Sequence, residues 1–474
     1  MNVHTKRSLS VFLCLFLLAC SINTNAFAQE NESFTTEDSR TAIEAKLNSI
    51  TSNLAEATPL AEQEIISLVR AQIATYVQTE DVVDPNNIAP GETDTWIPLH
   101  DLEGNHFADL VPLVNEENVE IGFITMGAIT DGFVKYMLGW NVKLLDAYRK
   151  ELSRTPDAQA VFFPPLEYGL QERDGEEHRI WGFDMGDFSL DDITLAVAEN
   201  ASAVKQQYEI IRSSDNAAKT DFALNNAKKA VLGEKLQSDD INSYVATLAQ
   251  EDYRLSCEWK DTESFVPIYE GSRTYYGGNQ SWYTPRDIKE EELTGAKVDR
   301  ATTGCGPVAA ANILCYMGRD ESKYKRLYPY TSIQKETFVD FMIITDSIIS
   351  PAIWGEFSIF SFAEDIRDWG RKHGTPLSSH TMSATSSTCA DFVKNALEKD
   401  KPVAAANLKI GYVDPDTGET MGWHWVTITK YFQSSYGGRW IAVSSWGERY
   451  SLDWDAYLAS ASSSVFRSGF VWFE

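Results

Sequence analysis

The chain has 474 residues, is 43% apolar, 12% aromatic and 23% charged, and carries 41 basic against 69 acidic side chains for a formal charge of −28. That composition belongs to a folded globular protein and excludes low-complexity disorder, collagen and an integral membrane bundle. The acidity also argues against a nucleic-acid binder, which needs a basic footprint. The charge is uneven: residues 251–474 hold 30 acidic and 23 basic residues, a net of −7, against 39 and 18 before them, a net of −21. Two halves with different jobs are the natural reading.

Taken in chain order, residues 1–28 read as a signal peptide. Lys6 and Arg7 precede an apolar run from Val11 to Ala19, too short for a spanning helix. Two cleavage readings stand. Ala26-Phe27-Ala28 ahead of Gln29 suits ordinary secretion, whereas Leu17-Leu18-Ala19-Cys20 suits a lipobox that would leave Cys20 as a lipid anchor. Export to the medium or the cell envelope is expected either way, with membrane contact only through such an anchor. The mature chain keeps Cys257, Cys305, Cys315 and Cys389, too few for a disulfide scaffold and without the Cys-x-x-Cys spacing of a zinc or redox site.

Residues 30–94 form a helical segment and linker. Ala42, Leu47, Ile50 and Leu54, then Ile65, Leu68, Val69, Ile73 and Val77 recur with helical period, and Asp81 to Asp94 carries Pro85, Pro90 and Gly91. Residues 95–250 form a hairpin-rich unit ending in helices. Trp96–Leu99 and Phe107–Val114 flank the turn Glu103-Gly104-Asn105, and Val119–Gly127 follows. Ala158–Gln171 and His178–Gly182 flank a turn at Asp174-Gly175, and Leu190–Arg212 and Ala217–Leu236 read as helices. No fixed-period repeat is present.

Residues 254–474 form the second unit. A loop-rich stretch to Thr303 leads to a helix over Gly306–Met317, then helices near Thr337–Ile344, Phe360–His373 and Asp391–Glu398. Strands follow at Pro402–Ile410, Trp423–Tyr431 and Trp440–Ser445, with Asp414-Pro415-Asp416 turning between the first two. A helix followed much later by an antiparallel sheet is an α+β layout.

Thr303-Gly304-Cys305-Gly306-Pro307-Val308-Ala309-Ala310-Ala311-Asn312 is the sharpest motif. Pro307 suits a first helical turn, which puts Cys305 at a helix N-terminus, where the dipole and N–H groups stabilise a thiolate. The competing reading is a buried, inert cysteine. A thiolate nucleophile needs a base, and His424 lies between Trp423 and Trp425 in an alternating strand pattern. A satisfied core histidine is its competing reading. His100, His106, His178, His373 and His380 sit in polar or turn-like contexts.

These two blocks and Ser444-Ser445-Trp446-Gly447 resemble the papain-like cysteine peptidases, in which Cys opens the central helix, His sits on a later strand, and Asn-Ser-Trp-Gly lies on the next. The separation of 119 residues between Cys305 and His424 is near the roughly 130–150 of the cathepsin group. Cys-Gly-Pro brings the chain closer to the secreted bacterial streptopain-like and bacteriocin-leader-processing branches. The resemblance implies a papain-like α+β catalytic domain and places Ser444 where an Asn or Asp orients the imidazole, with Ser445, Glu448 and Asp453 as alternatives. It makes Trp446 the shield of that hydrogen bond and Gln280 the side-chain donor of the oxyanion hole; a plain loop glutamine is the competing reading. Trp96–Asn105, Ile121–Thr125 and Phe163–Tyr168 are similar to the β-rich propeptides of such enzymes, so the first half is expected to be a propeptide or a permanent accessory domain acting on the second. The implied activity is hydrolysis of a peptide or protein substrate, with no cofactor and no metal. The same residues fit transglutaminase-type or cell-wall amide acyl transfer, or an inactive binding or adhesion module.

Overall fold

A computed structural model describes residues 36–51, 57–79, 88–164, 167–174, 177–183, 185, 188–232, 257–262, 265–283, 289–290, 297–298, 303–320, 322–349, 358–407, 412–413, 420–421, 424–434, 439–462 and 468–474. Residues 1–35, where the sequence leads one to expect a signal segment with Cys20, residues 81–87 of the linker and the Asp414–Asp416 turn lie outside these residues. The described chain is α+β. Its helices are α1 (Thr36–Thr51), α2 (Glu62–Thr79), α3 (Lys143–Arg154), α4 (Thr194–Glu199), α5 (Ala201–Ile211), α6 (Ser214–Leu232), α7 (Cys305–Asp320), α8 (Lys335–Ile349), α9 (Ile359–Lys372), α10 (Cys389–Glu398) and α11 (Trp454–Ser462).

The strands of the first half are β1 (Ala89–Pro90), β2 (Ile97–His100), β3 (His106–Val114), β4 (Glu120–Gly127), β5 (Lys135–Gly139), β6 (Ala158–Phe163), β7 (Glu167–Asp174), β8 (Glu177–Phe183) and β9 (Leu190–Asp192). The second half adds β10 (Cys257–Asp261), β11 (Pro267–Glu270), β12 (Arg273–Tyr276), β13 (Lys289–Glu290), β14 (Lys297–Val298), β15 (Ser379–Ser383), β16 (Val403–Asn407), β17 (Tyr412–Val413) and β18 (Thr420–Met421). It ends in β19 (His424–Ser434), β20 (Arg439–Ser445), β21 (Glu448–Asp453) and β22 (Gly469–Phe473).

One sheet runs through both halves, in the order β15-β22-β16-β19-β20-β21-β5-β4-β3-β2-β6-β7-β8-β9. Its ladders are antiparallel except for β2 on β6, which run parallel at His100 and Val161. At the middle of β3, β4 and β5 adjacent side chains point into two different cores, as a period-2 backbone requires. Leu110, Phe123 and Met137 enter one core. Val111, Ile124 and Leu138 enter the other, beneath Leu68, Val69 and Ile73 of α2. Both faces are covered, which explains why β3 reads as an almost unbroken apolar run.

The same alternation positions α7. Val403 and Ala405 of β16 face the first core. Ala404 and Ala406 face a third, in which Ala310, Ile313 and Leu314 of α7 pack with Trp425, Val471 and Phe473. Alanines on both partners let the helix lie close to the sheet, so the position of Cys305 is set by backbone proximity.

The junction between the halves is a β-ladder: Tyr450, Ser451 and Leu452 of β21 pair with Gly139, Leu138 and Met137 of β5. Gly139 is needed there, because a Cβ would lie 3.0 Å from the Tyr450 ring and 2.9 Å from Phe123. Tyr136, Met137, Tyr450, Leu452 and Trp454 then share one buried core. Polar contacts flank the ladder, with Lys143 Nζ 3.0 Å from Glu448 Oε1 and Lys219 Nζ 3.4 Å from Asp455 Oδ2. The uneven charge therefore divides the sequence, while the backbone joins it.

Asp453 sits at this junction and caps α11 by accepting a 2.8 Å bond from the Ala456 N–H. Desolvation, then the neighbouring Asp455, raises its carboxyl to about 6, against the pull of Lys135 and Lys219. The folded chain thus holds this proton more tightly than the unfolded chain. The stabilisation is complete below the ordinary carboxyl range and is lost as pH rises towards 6. Asp453→Asn keeps the capping acceptor and removes the titration. We expect it to gain on the order of 1 kcal/mol over the parent chain at pH 7 and nothing near pH 4, read from denaturant midpoints across that range.

Several elements depart from the sequence reading. Ala158–Gln171 is two strands, β6 and β7, because Pro164-Pro165 cannot continue a ladder. Leu190 begins a short strand and the helix starts at Thr194. The stretch before Thr303, read as loop, contains β10 to β14, and β10 joins the main sheet beside β19. β5, α3, β15, β21 and β22 have no counterpart in the sequence reading.

Candidate active site

Cys305, Val308, Ala309 and Asn312 are spaced i, i+3, i+4 and i+7 along α7, so one helix face carries all four. That face lines a small pocket. His424, Gln280, Ser444, Ser445 and Trp446 line the same pocket. The structure therefore brings together the cysteine, the histidine, the glutamine and the tryptophan singled out in the sequence. Cys305 is buried, 5% exposed, at the first turn of its helix. Gly304 O accepts the first α-turn bond from Val308 N at 3.0 Å, which fixes the start of the helix at the cysteine.

His424 opens β19. Its Nε2 lies 2.6 Å from Ser445 Oγ, and its ring stacks on Trp446 at 4.2 Å between centroids with 10° between the planes. Trp446 and Gly447 both have positive φ, 50° and 75°, and Ser445 pairs with Glu448 across them. This is the two-residue hairpin turn with left-handed backbone at both central positions. A tryptophan there is strained, and the turn holds its indole flat over the imidazole. Burial makes imidazolium unfavourable and pulls His424 down to about 3. The ring is neutral at physiological pH. Its contribution to stability is complete above the ordinary histidine range and is lost as pH falls towards 3.

The orienting residue is a correction: Ser445, not Ser444, bonds the imidazole. Neighbouring strand residues face opposite sides, so only one of the two serines can reach His424. Ser444, paired with Thr427, points to the α7 side, donating to Tyr276 O at 2.7 Å and lying 3.4 Å from Asn312 Nδ2. Glu448 bonds Lys143 and Arg273, and Asp453 caps α11. Because Ser445 is a hydrogen-bond partner without charge, Ser445→Ala should lower turnover of the hydrolysis proposed below about 10-fold while leaving substrate affinity within a few-fold. Steady-state kinetics and thermal unfolding on the same preparation check this.

Gln280 opens a single 3₁₀ turn (Gln280–Trp282) capped by Asn279, whose side chain accepts from Ser281 N at 2.9 Å. The loop before it is held closely. Gly277 has φ +78°, and a Cβ there would lie 2.2 Å from Ser444 Oγ. Gly278 O accepts from Gly447 N at 2.9 Å, which ties the loop to the hairpin turn under Trp446. Gln280 itself is 8% exposed.

Cys305, Cys315 and Cys389 are thiols, whereas the Cys257 side chain lies outside the described residues. Burial pushes Cys315 up to about 12 and raises Cys389 as well. Neither lines the pocket. Among the described residues no group of three or more His, Cys, Asp and Glu side chains could hold a metal ion, and no helix is long and apolar enough to cross a membrane. Compared with known proteins, the chain matches no family model, no curated protein and no solved structure.

Proposed function

We propose that this pocket is the active site of an exported thiol hydrolase of papain-like design, acting on peptide bonds. One observation carries the reading: a cysteine at a helix start, an oriented neutral imidazole and a glutamine line a single pocket. With Nε2 held by Ser445, the opposite ring nitrogen, Nδ1, is the one that exchanges protons with substrate and thiol. Cys305 Sγ attacks the carbonyl carbon and its proton passes to Nδ1. The S–C bond forms while the carbonyl pair moves to oxygen. Gln280 and the Cys305 N–H stabilise that oxyanion. Collapse expels the amine, which takes the proton from His424 and leaves a thioester. A water then gives a proton to Nδ1 and attacks the acyl carbon. The S–C bond breaks, and the carboxylic acid and the thiol are regenerated.

The neutral resting state of His424 fits this cycle, since the ring must receive a proton before it can give one. Peptide cleavage in 18O-labelled water with an added primary amine tests the assignment. Label in new carboxyl termini is expected. New amide bonds to the amine without labelled acid would make the protein an acyl transferase, and no product of either kind would make it an inactive binding module.

A further inference from the structure

We propose that Asn312 is a positioning residue that fixes the oxyanion loop and the histidine strand against the cysteine helix. The proposal rests on the thiol-hydrolase reading for its consequence in turnover, but its geometry stands alone. Asn312 is 1% exposed and lies seven residues after Cys305, about two helical turns along the same face. Its Oδ1 accepts from Gly278 N at 2.9 Å. That donor fixes which amide atom is oxygen. Its Nδ2 then faces Thr427 Oγ1 at 3.3 Å and Ser444 Oγ at 3.4 Å. One side chain therefore touches the loop bearing Gln280, the strand opened by His424 and the strand ending in Ser445.

The network is directional. Ser444 gives its own hydrogen to Tyr276 O at 2.7 Å, so its oxygen accepts from Asn312. The loop is thus held by Asn312 at Gly278 and through Ser444 at Tyr276. Gly277, between these anchors, has no room for a side chain: a Cβ would approach Asn312 Oδ1 to 3.0 Å as well as Ser444. Three chain segments that carry the proposed chemistry, distant in sequence, meet on a single buried amide. An apolar residue of the same size would fill the space and leave the Gly278 N–H without its acceptor, so the loop would lose its fixed height relative to Cys305.

Full-length Asn312→Leu and Asn312→Asp chains test this. Hydrogen exchange is read over residues 276–283, together with iodoacetamide modification of Cys305 and the steady-state kinetics of peptide cleavage. In Asn312→Leu we expect protection of 276–283 to fall at least about 10-fold while other segments keep theirs, because the lost acceptor is local. Turnover should fall about 10- to 100-fold with KM and the Cys305 alkylation rate within about 3-fold, since loss of an oxyanion donor acts on the transition state. Asn312→Asp retains the acceptor and should keep loop protection. Unchanged protection in Asn312→Leu, or lost protection with unchanged turnover, overturns the proposal. If Asn312→Leu does not fold, loss of loop protection in Asn312→Asp overturns it and retention supports it. If the parent chain cleaves no peptide, the hydrolase reading fails separately, and exchange alone decides whether Asn312 holds the loop.

Discussion

Cys305→Ala is expected to abolish peptide hydrolysis, with kcat/KM falling at least about 10³-fold, while the chain stays folded. The two effects separate for physical reasons. Removing sulfur takes away the nucleophile that forms the acyl intermediate, so no partial substitute remains in the proposed cycle. The replacement stands on a helix, in a run already rich in alanine, beside an existing pocket. The cavity created is small and alanine is the best helix former, so the stability change should stay within about 1 kcal/mol. Kinetics and thermal unfolding on the same preparation check both halves. Residual hydrolysis within about 10-fold of the parent chain would remove Cys305 from the mechanism.

A chain starting at residue 254 is expected not to fold to a soluble, cooperative unit. The sequence suggests that the second half is self-contained, but its β21 edge pairs with β5 of the first half. Without β5 that edge would present unpaired backbone groups, a template for aggregation. Tyr450 and Leu452 are 1% and 0% exposed in the whole chain, packed with Met137 and Tyr136. Uncovering large apolar side chains loses roughly 1.5–3 kcal/mol each. A few such residues equal the stability of an ordinary domain. The damage would also reach the pocket, because β21 begins directly after the Trp446-Gly447 turn and Lys143 holds Glu448. Soluble yield, size-exclusion profile and a thermal transition provide the check. A monomeric, cooperatively melting 254–474 fragment that cleaves peptide would show that the first half is dispensable.

Much of the pocket was legible because its signals are local. Gly-Cys-Gly-Pro followed by alanines marks a helix start that permits close packing, and His424 between tryptophans breaks the apolar strand pattern that surrounds it. The choice between Ser444 and Ser445 was not legible from the family-like register, because strand alternation and the twist at the hairpin decide it. Asn312 stood in the quoted motif at i+7 from Cys305, a spacing that marks the shared face, yet its partners at 278, 427 and 444 are visible only in three dimensions. β5 was missed because Lys135 interrupts Phe133-Val134-Lys135-Tyr136-Met137-Leu138; in the fold that lysine is buried, its ammonium over the Trp440 ring. The division by charge suggested separable halves, since net charge reports on solvent-facing residues and says little about which backbone edges pair.

The most direct measurement is competitive alkylation of the intact chain with iodoacetamide at neutral pH, followed by mapping of the modified cysteines over time. Cys305 lines a pocket with an imidazole, whereas Cys315 and Cys389 lie in core packing where burial holds them as thiols. Cys305 should react at least about 10-fold faster than either, because the imidazole in its pocket can take the thiol proton and only thiolate is nucleophilic. A Cys305 rate equal to or below those of Cys315 and Cys389 would contradict the assignment of the nucleophile.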